Sequence, residues 1–222
     1  MRKDLNRFEI GAVILAGGKA CRLGGLAKGC IEVGGNVSIV EQLINELKNA
    51  GIGNIVIAAN DPAPYLRFDV EILPDIRQGI GPLGGIETGL VHFTDKSDAV
   101  MFIPCDMPKI TSKEILRLKE AFIETEKPVV FAQTSGFFWH PLCAVVHNRL
   151  KNRISSAIDD GRRKVQNVWR QFKAEAIPFD NETAFFNINN FDDIHRWEKE
   201  YRNEKENMCG SFDSSKASGL PR

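Results

Sequence analysis

The chain has 222 residues, 29 basic and 29 acidic side chains and no formal net charge. That length allows one large domain with a proper core, and the charge balance excludes a global basic field for nucleic acid. No apolar run approaches the roughly 20 residues that span a bilayer, and the charged stretch Met1 to Glu9 lacks the apolar centre of a secretory signal.

In chain order, Ala12-Val13-Ile14-Leu15 reads as a buried strand ending at Gly17-Gly18. Gly17 to Lys28 is a glycine-rich loop with basic residues. Ile39 to Ala50 has helical spacing, with Ile39, Leu43, Ile44 and Leu47 on one face and Gly51 following as a cap. Ile55 to Ala59 and Val70 to Leu73 are expected strands. A helix is expected over Gly84 to Phe93, a strand over Ala99 to Ile103, and a helix capped by Thr111 or Ser112 that reaches Ile123. Strands begin at Val129-Val130-Phe131 and at Leu142 to Val146. Arg149 to Ile158 reads as helix, Ala174 to Phe179 as strand, and Phe191 to Tyr201 as the last helix. Residues 203–222 are polar, without apolar periodicity, and read as a disordered tail. Alternation of strands and helices predicts an α/β fold, a mostly parallel twisted sheet with helices on both faces.

The five cysteines, Cys21, Cys30, Cys105, Cys143 and Cys209, are odd in number and contain no C-x-x-C pair. This speaks against a disulfide framework or zinc knuckle and for a reducing cytoplasm.

Chemistry concentrates at two strand ends. Leu15-Ala16-Gly17-Gly18 through Arg22 to Lys28 leaves the carboxyl end of the first strand, where ligands bind in open α/β sheets. Glycines admit close backbone approach, and free N–H groups can wrap an anion. Arg22 suits forked phosphate contacts and Lys28 a point contact. Neither G-x-x-x-x-G-K-S/T nor G-x-G-x-x-G fits this loop. A plain strand–helix turn with solvated basic residues remains the alternative. Asp106, in Pro104-Cys105-Asp106-Met107-Pro108, follows the Ala99 to Ile103 strand. It fits either as the single carboxylate that Mg²⁺ needs beside a triphosphate or as a turn residue between prolines. Asn60 and Asp75 also stand at strand ends, where turn capping is the simpler role. His92, His147 and His195 lack metal-ligand spacing.

Taken together, these residues resemble the molybdenum cofactor guanylyltransferases. The likeness runs from Gly11 to about Glu200 through ordered motifs: Leu15 to Gly24 with Lys28, Gly81-Pro82-Leu83-Gly84-Gly85, Pro104 to Pro108, His140-Pro141, Gly161-Arg162-Arg163-Lys164-Val165, and Phe186-Asn187-Ile188-Asn189. Two departures stand out: Ala27 where the family usually has Asp, and Asn36-Val37-Ser38 where it reads K-P-L/M.

The resemblance implies a Rossmann-like nucleotidyltransferase domain over residues 1–202, with a nucleotide half over about 10–110 and a pterin-side half over about 111–202. It implies transfer of GMP from GTP to molybdopterin with release of pyrophosphate, dependent on Mg²⁺ at Asp106. Leu15, Ala16, Gly17, Gly18, Lys28, Asn60, Asp75, Gly84 and Asp106 would form the nucleotide site, with Arg22, Lys28 and Asp106 catalytic. His140, Arg162, Arg163, Asn187 and Asn189 are the candidates for the pterin. Partners would be the two small-molecule substrates, with transient contact to molybdoenzymes or other cofactor-biosynthesis proteins, and no nucleic acid or membrane. The competing readings are CTP in place of GTP, or an NTP acting on a sugar phosphate; glycine at Gly18 and Gly84-Gly85 favours a purine. A non-catalytic nucleotide-binding regulator on the same fold is a further rival, disfavoured by Arg22, Lys28 and Asp106 standing together.

Overall fold

The computed structural model describes residues 8–17, 26–33 and 36–199. Arg22, Gly18 and the segment 203–222 therefore lie outside the described residues. The elements are β1 (Ile10–Leu15), α1 (Ile39–Asn49), β2 (Ile55–Ala58), β3 (Glu71–Leu73), α2 (Pro82–His92) and β4 (Ala99–Pro104). They continue with α3 (Ser112–Thr125), β5 (Val129–Thr134), β6 (Phe138–His147), α4 (Lys151–Asp159), α5 (Val165–Gln171) and β7 (Glu175–Pro178). Residues 191–199 form a last helix, α6.

The seven strands make one sheet in the order β3-β2-β1-β4-β6-β5-β7. β1 pairs in parallel with β2 and β4, and β5 with β7, while β6 runs antiparallel between β4 and β5. Strands buried on both faces read as unbroken apolar runs, which is why β1 and β4 were visible without alternation. Ala12 and Ile14 point into a core closed by α1 and α3. Val13 and Leu15 point into a second core closed by α2, α4 and α5.

The helix starts follow local chemistry. Ser38 accepts a hydrogen bond from the Glu41 N–H at 3.3 Å and so satisfies a free donor at the start of α1. Thr111 N–H donates to Glu114 Oε2 at 3.1 Å, the reciprocal half of a capping box at α3. Helix α2 lies unusually close to the sheet because Gly89 faces it. A Cβ there would stand 2.6 Å from Val13 Cγ2 and 2.8 Å from Phe102 Cε1, an overpacking worth about 1–3 kcal/mol.

Two elements differ from the sequence expectation. β6 starts at Phe138 rather than Leu142, because a bulge sets Ala132 opposite His140 and Phe131 opposite Ala144. The apolar run alone marks the regular half of that strand. Helix α5 was not expected; its seven residues bury only Val165, Val168 and Trp169, too short a pattern to stand out from a loop. Among the described residues no helix is long and apolar enough to cross a membrane.

Candidate active site

Parallel strands β1 to β4 end at one edge of the sheet, and the strand-end polar residues collect there. They form two groups on either side of the end of β1.

The first group is built on Asp75, just past β3. Its carboxylate oxygen Oδ2 accepts from Asn60 Nδ2 at 2.8 Å, and its backbone N–H donates to Asn60 Oδ1 at 3.0 Å. Three glycines stand around the carboxylate. A Cβ on Gly84 would lie 3.3 Å from Asp75 Oδ2 and 3.1 Å from the Arg77 carbonyl; on Gly85 it would lie 3.6 Å from Oδ1, and on Gly17 4.0 Å from Oδ2. Glycine at Gly84 and Gly85 thus lets the first turn of α2 pack closely against a half-buried carboxylate and the end of β1. Burial raises the Asp75 pKa, and the Asn60 hydrogen bond opposes that rise.

Arg77, to which the sequence reading gave no role, holds this loop in place. Its guanidinium meets Glu87 of α2 at 3.3 Å, donates to Ser155 Oγ at 2.7 Å, and pairs with Asp159 at the end of α4. Ile76 N–H adds a bond to Thr88 Oγ1 at 2.9 Å. Nothing local marks Arg77, since its partners on α4 are about 80 positions away in sequence.

The second group is Lys28, Asp106 and Asn189. Lys28 Nζ lies 3.5 Å from Asp106 Oδ2 and donates to Asn189 Oδ1 at 3.0 Å. The Ile188 N–H donates to the Asp106 carbonyl at 2.9 Å, which ties the segment before α6 to the end of β4. Burial raises the Asp106 pKa, while the Lys28 charge and hydrogen bond pull it down. The neighbouring Cys105 thiol is pushed up to about 12 by burial and then by the Asp106 charge, so it stays protonated and is no nucleophile near neutral pH.

The pterin-side residues are placed less uniformly. Asn187 is half-buried, two residues before Asn189. Arg162 Nε is buried with no hydrogen-bond partner among the described residues. Arg163 Nη1 donates to the Ile158 and Arg162 carbonyls, which caps the carboxyl end of α4. His140 is buried; its Nε2 lies 3.0 Å from Thr134 Oγ1, and its ring stacks on Phe185 at 4.7 Å.

Burial lowers the His140 pKa to about 4. Because the unfolded chain would take up this proton near pH 6.5, His140 contributes stability that is present above pH 6.5 and lost as pH falls toward 4. We expect melting temperature to drop over that window and the drop to flatten in His140→Phe, measured by thermal unfolding at stepped pH. An unchanged pH dependence in the variant counts against a buried neutral imidazole.

A cleft of about 640 Å³ lies at the opposite edge, bordered by Glu9, Asp98, His147 and Arg149. None of the strand-end groups described above borders it. Among the described residues no three metal-ligating side chains cluster, at either edge.

Residues 12–175 match the family model of the MobA-like NTP transferase domain. A molybdenum cofactor guanylyltransferase from Mannheimia succiniciproducens is 34% identical over 191 residues, covering 85% of this chain and 98% of that protein. One from Haemophilus influenzae is 32% identical over 195 residues, covering 85% and 97%. The crystal structure of molybdopterin-guanine dinucleotide biosynthesis protein A from Archaeoglobus fulgidus shares the fold, with a TM-score of 0.70 at 24% identity, over 85% of this chain and 97% of that one. Glycines packed around Asp75 and a lysine–carboxylate pair at the end of β4 thus sit on a nucleotidyltransferase fold, and the chain belongs to the MobA-like NTP transferase family together with the molybdenum cofactor guanylyltransferases.

Proposed function

We propose that this enzyme transfers GMP from GTP to molybdopterin, forming molybdopterin guanine dinucleotide and pyrophosphate. The observation that carries this reading is the pairing of Lys28 with Asp106 at the same sheet edge as the Asn60–Asp75 pair. The names of relatives that this chain covers nearly end to end supply the substrates.

The terminal phosphate of molybdopterin attacks the α-phosphorus of GTP; a new P–O–P bridge forms and the bond to pyrophosphate breaks. The nucleophile is already an anion near neutral pH, so no general base is required. The side chains are consistent with this: burial that lowers the His140 pKa to about 4 makes it a weak base, and the Cys105 thiol beside Asp106 stays protonated. The difficulty is the meeting of two polyanions, which positioning and charge neutralisation overcome. Lys28 is well placed to turn from Asp106 to a phosphate, and Arg22 would add a second cation. Asp106 is a partly buried carboxylate whose charge among the described residues is balanced by Lys28. One such carboxylate with phosphate oxygens and waters is the donor set Mg²⁺ takes. Mg²⁺ held there would supply charge neutralisation across the phosphates.

Asp75 offers acceptor oxygens to a guanine edge that presents N–H donors, with Gly17, Gly84 and Gly85 close beside it. Leu15, Ala16 and Asn60 complete that side. Residues 10–110 form the nucleotide half in this scheme and 111–202 the acceptor half. The product passes to acceptor enzymes by transient contact. The free thiols Cys30, Cys105 and Cys143 suit a reducing cytoplasm.

The test is pyrophosphate release with molybdopterin and each of GTP, CTP, ATP and UTP in the presence of Mg²⁺. We expect GTP to be used and CTP to be used at least about 100-fold less well, as for a site whose polar groups go unpaired with the wrong base. Equal use of GTP and CTP would falsify the guanylyl reading.

Gly84→Ala probes the pocket itself. The added methyl would crowd the Arg77 carbonyl at 3.1 Å and Asp75 at 3.3 Å. We expect the KM for GTP to rise about tenfold, while fold stability falls by less than about 1 kcal/mol, because Ala favours helix over Gly. An unchanged KM would remove Gly84 from the nucleotide site.

A further inference from the structure

The hairpin that joins β5 to β6 ends in two exposed aromatics, Phe137 at 82% and Phe138 at 63% exposure. Neither is needed by the core. Its backbone is also costly: Gly136 has φ 66° and Phe137 φ 61°, and only the first is a glycine. A hairpin turn with two left-handed residues prefers Asn or Gly at both. A bulky side chain there is strained, and strain retained against folding points to a use.

The position of the hairpin suggests the use. β6 is antiparallel to β4, so the start of β6 lies at the edge where β4 delivers Asp106. From the tip an unbroken line of rings leads inward. Phe138 meets His140 at 5.1 Å, and His140 stacks on Phe185 at 4.7 Å. Three residues beyond Phe185, Ile188 bonds to the backbone of Asp106. In the sheet, β6 and β5 lie on the far side of β4 from β1, β2 and β3, whose ends carry Asn60 and Asp75. An acceptor whose phosphate reaches Lys28 and Asp106 must direct the rest of itself away from the nucleotide, across β6 and β5.

We propose that Phe137 and Phe138 form a stacking platform for the planar pterin ring of the acceptor. This rests on the guanylyltransferase reading above. Flat heteroaromatic rings gain from stacking on exposed aromatic faces without demanding hydrogen bonds. It also explains why two rings are kept at a strained tip, where Asn or Gly would make a better turn.

The experiment uses the full chain with Phe137→Gly, Phe138→Ser, the double variant and Phe137→Tyr. Molybdopterin binding is followed anaerobically by pterin fluorescence, with GMP transfer, thermal unfolding and sedimentation on the same preparations. Phe137→Gly should melt at the same or a higher temperature than the parent and yet bind molybdopterin about tenfold less tightly. The double variant should bind more weakly still, Phe137→Tyr should keep parental affinity, and the KM for GTP should not move. Unchanged acceptor affinity in the double variant overturns the proposal and leaves the guanylyltransferase reading standing. A loss of affinity that merely tracks conversion of a dimer to a monomer overturns it too, and identifies the pair as a contact between copies. A parent protein that neither binds molybdopterin nor transfers GMP sinks the underlying reading and this inference together.

Discussion

Asp106→Asn is expected to reduce GMP transfer by about 10³-fold or more while the protein melts at the same or a slightly higher temperature. The geometry sets both signs. The carboxylate is partly buried, and burial disfavours its charge; the Lys28 charge and hydrogen bond offset part of that cost. Asparagine keeps the shape and removes the buried charge, and Lys28 retains its bond to Asn189 Oδ1. Folding therefore loses little. On the metal-site proposal, turnover loses a hard anionic ligand where two polyanions meet, an effect of several kcal/mol on the barrier, and each 1.36 kcal/mol is a factor of ten. A turn-capping aspartate behaves in the opposite way: its loss costs about 1 kcal/mol of stability and leaves chemistry alone. Melting temperature and GMP transfer measured on one preparation separate the two. A destabilised, fully active variant would end the metal-site proposal.

Lys28→Ala should lower turnover by about 10²–10³-fold, the scale on which one preorganised electrostatic contact matters. Unlike Asp106→Asn it should also destabilise the fold, because it strands a partly buried carboxylate without its cation. The pair of variants makes a cycle. If the two side chains are coupled as observed, the double variant should be more stable than Lys28→Ala alone, since no buried charge is then left unpaired. Strict additivity of the two stability changes would show that the 3.5 Å approach carries no energy. Full activity of Lys28→Ala at saturating GTP would remove the lysine from the phosphate site. The two readouts are independent, so the structural and catalytic roles of Lys28 can fail separately.

Much of this protein was legible as sequence because its strands are buried on both faces. Ala12 to Leu15, Ile55 to Ala59 and Ala99 to Ile103 are apolar runs with no competing period, and each ends in a candidate site residue: the Gly17 loop, Asn60 and Asp106. In a parallel sheet those ends must share one edge, so the candidate site follows from the run boundaries and one topological rule. Capping at Thr111 is equally local, the Glu114 side-chain oxygen meeting a free N–H at the start of α3.

What depended on distant partners was not legible. The direction of β6, its bulge opposite Ala132 and its place between β4 and β5 are settled by pairing across the sheet, and no residue in the run encodes them. Arg77 looks like a solvated loop residue until α4 brings Ser155 and Asp159 to it. Asn189, read as a pterin contact, stands on Lys28 from 161 positions away. Phe138 and Trp139 look alike in sequence, yet the hairpin exposes the first and tucks the second against Phe131 at 4.8 Å. Hydrophobic runs, caps and strand ends are short-range properties, written where they act. Charge pairing, strand direction and the exposure of a given ring depend on what the rest of the chain brings alongside, and only the folded packing decides them.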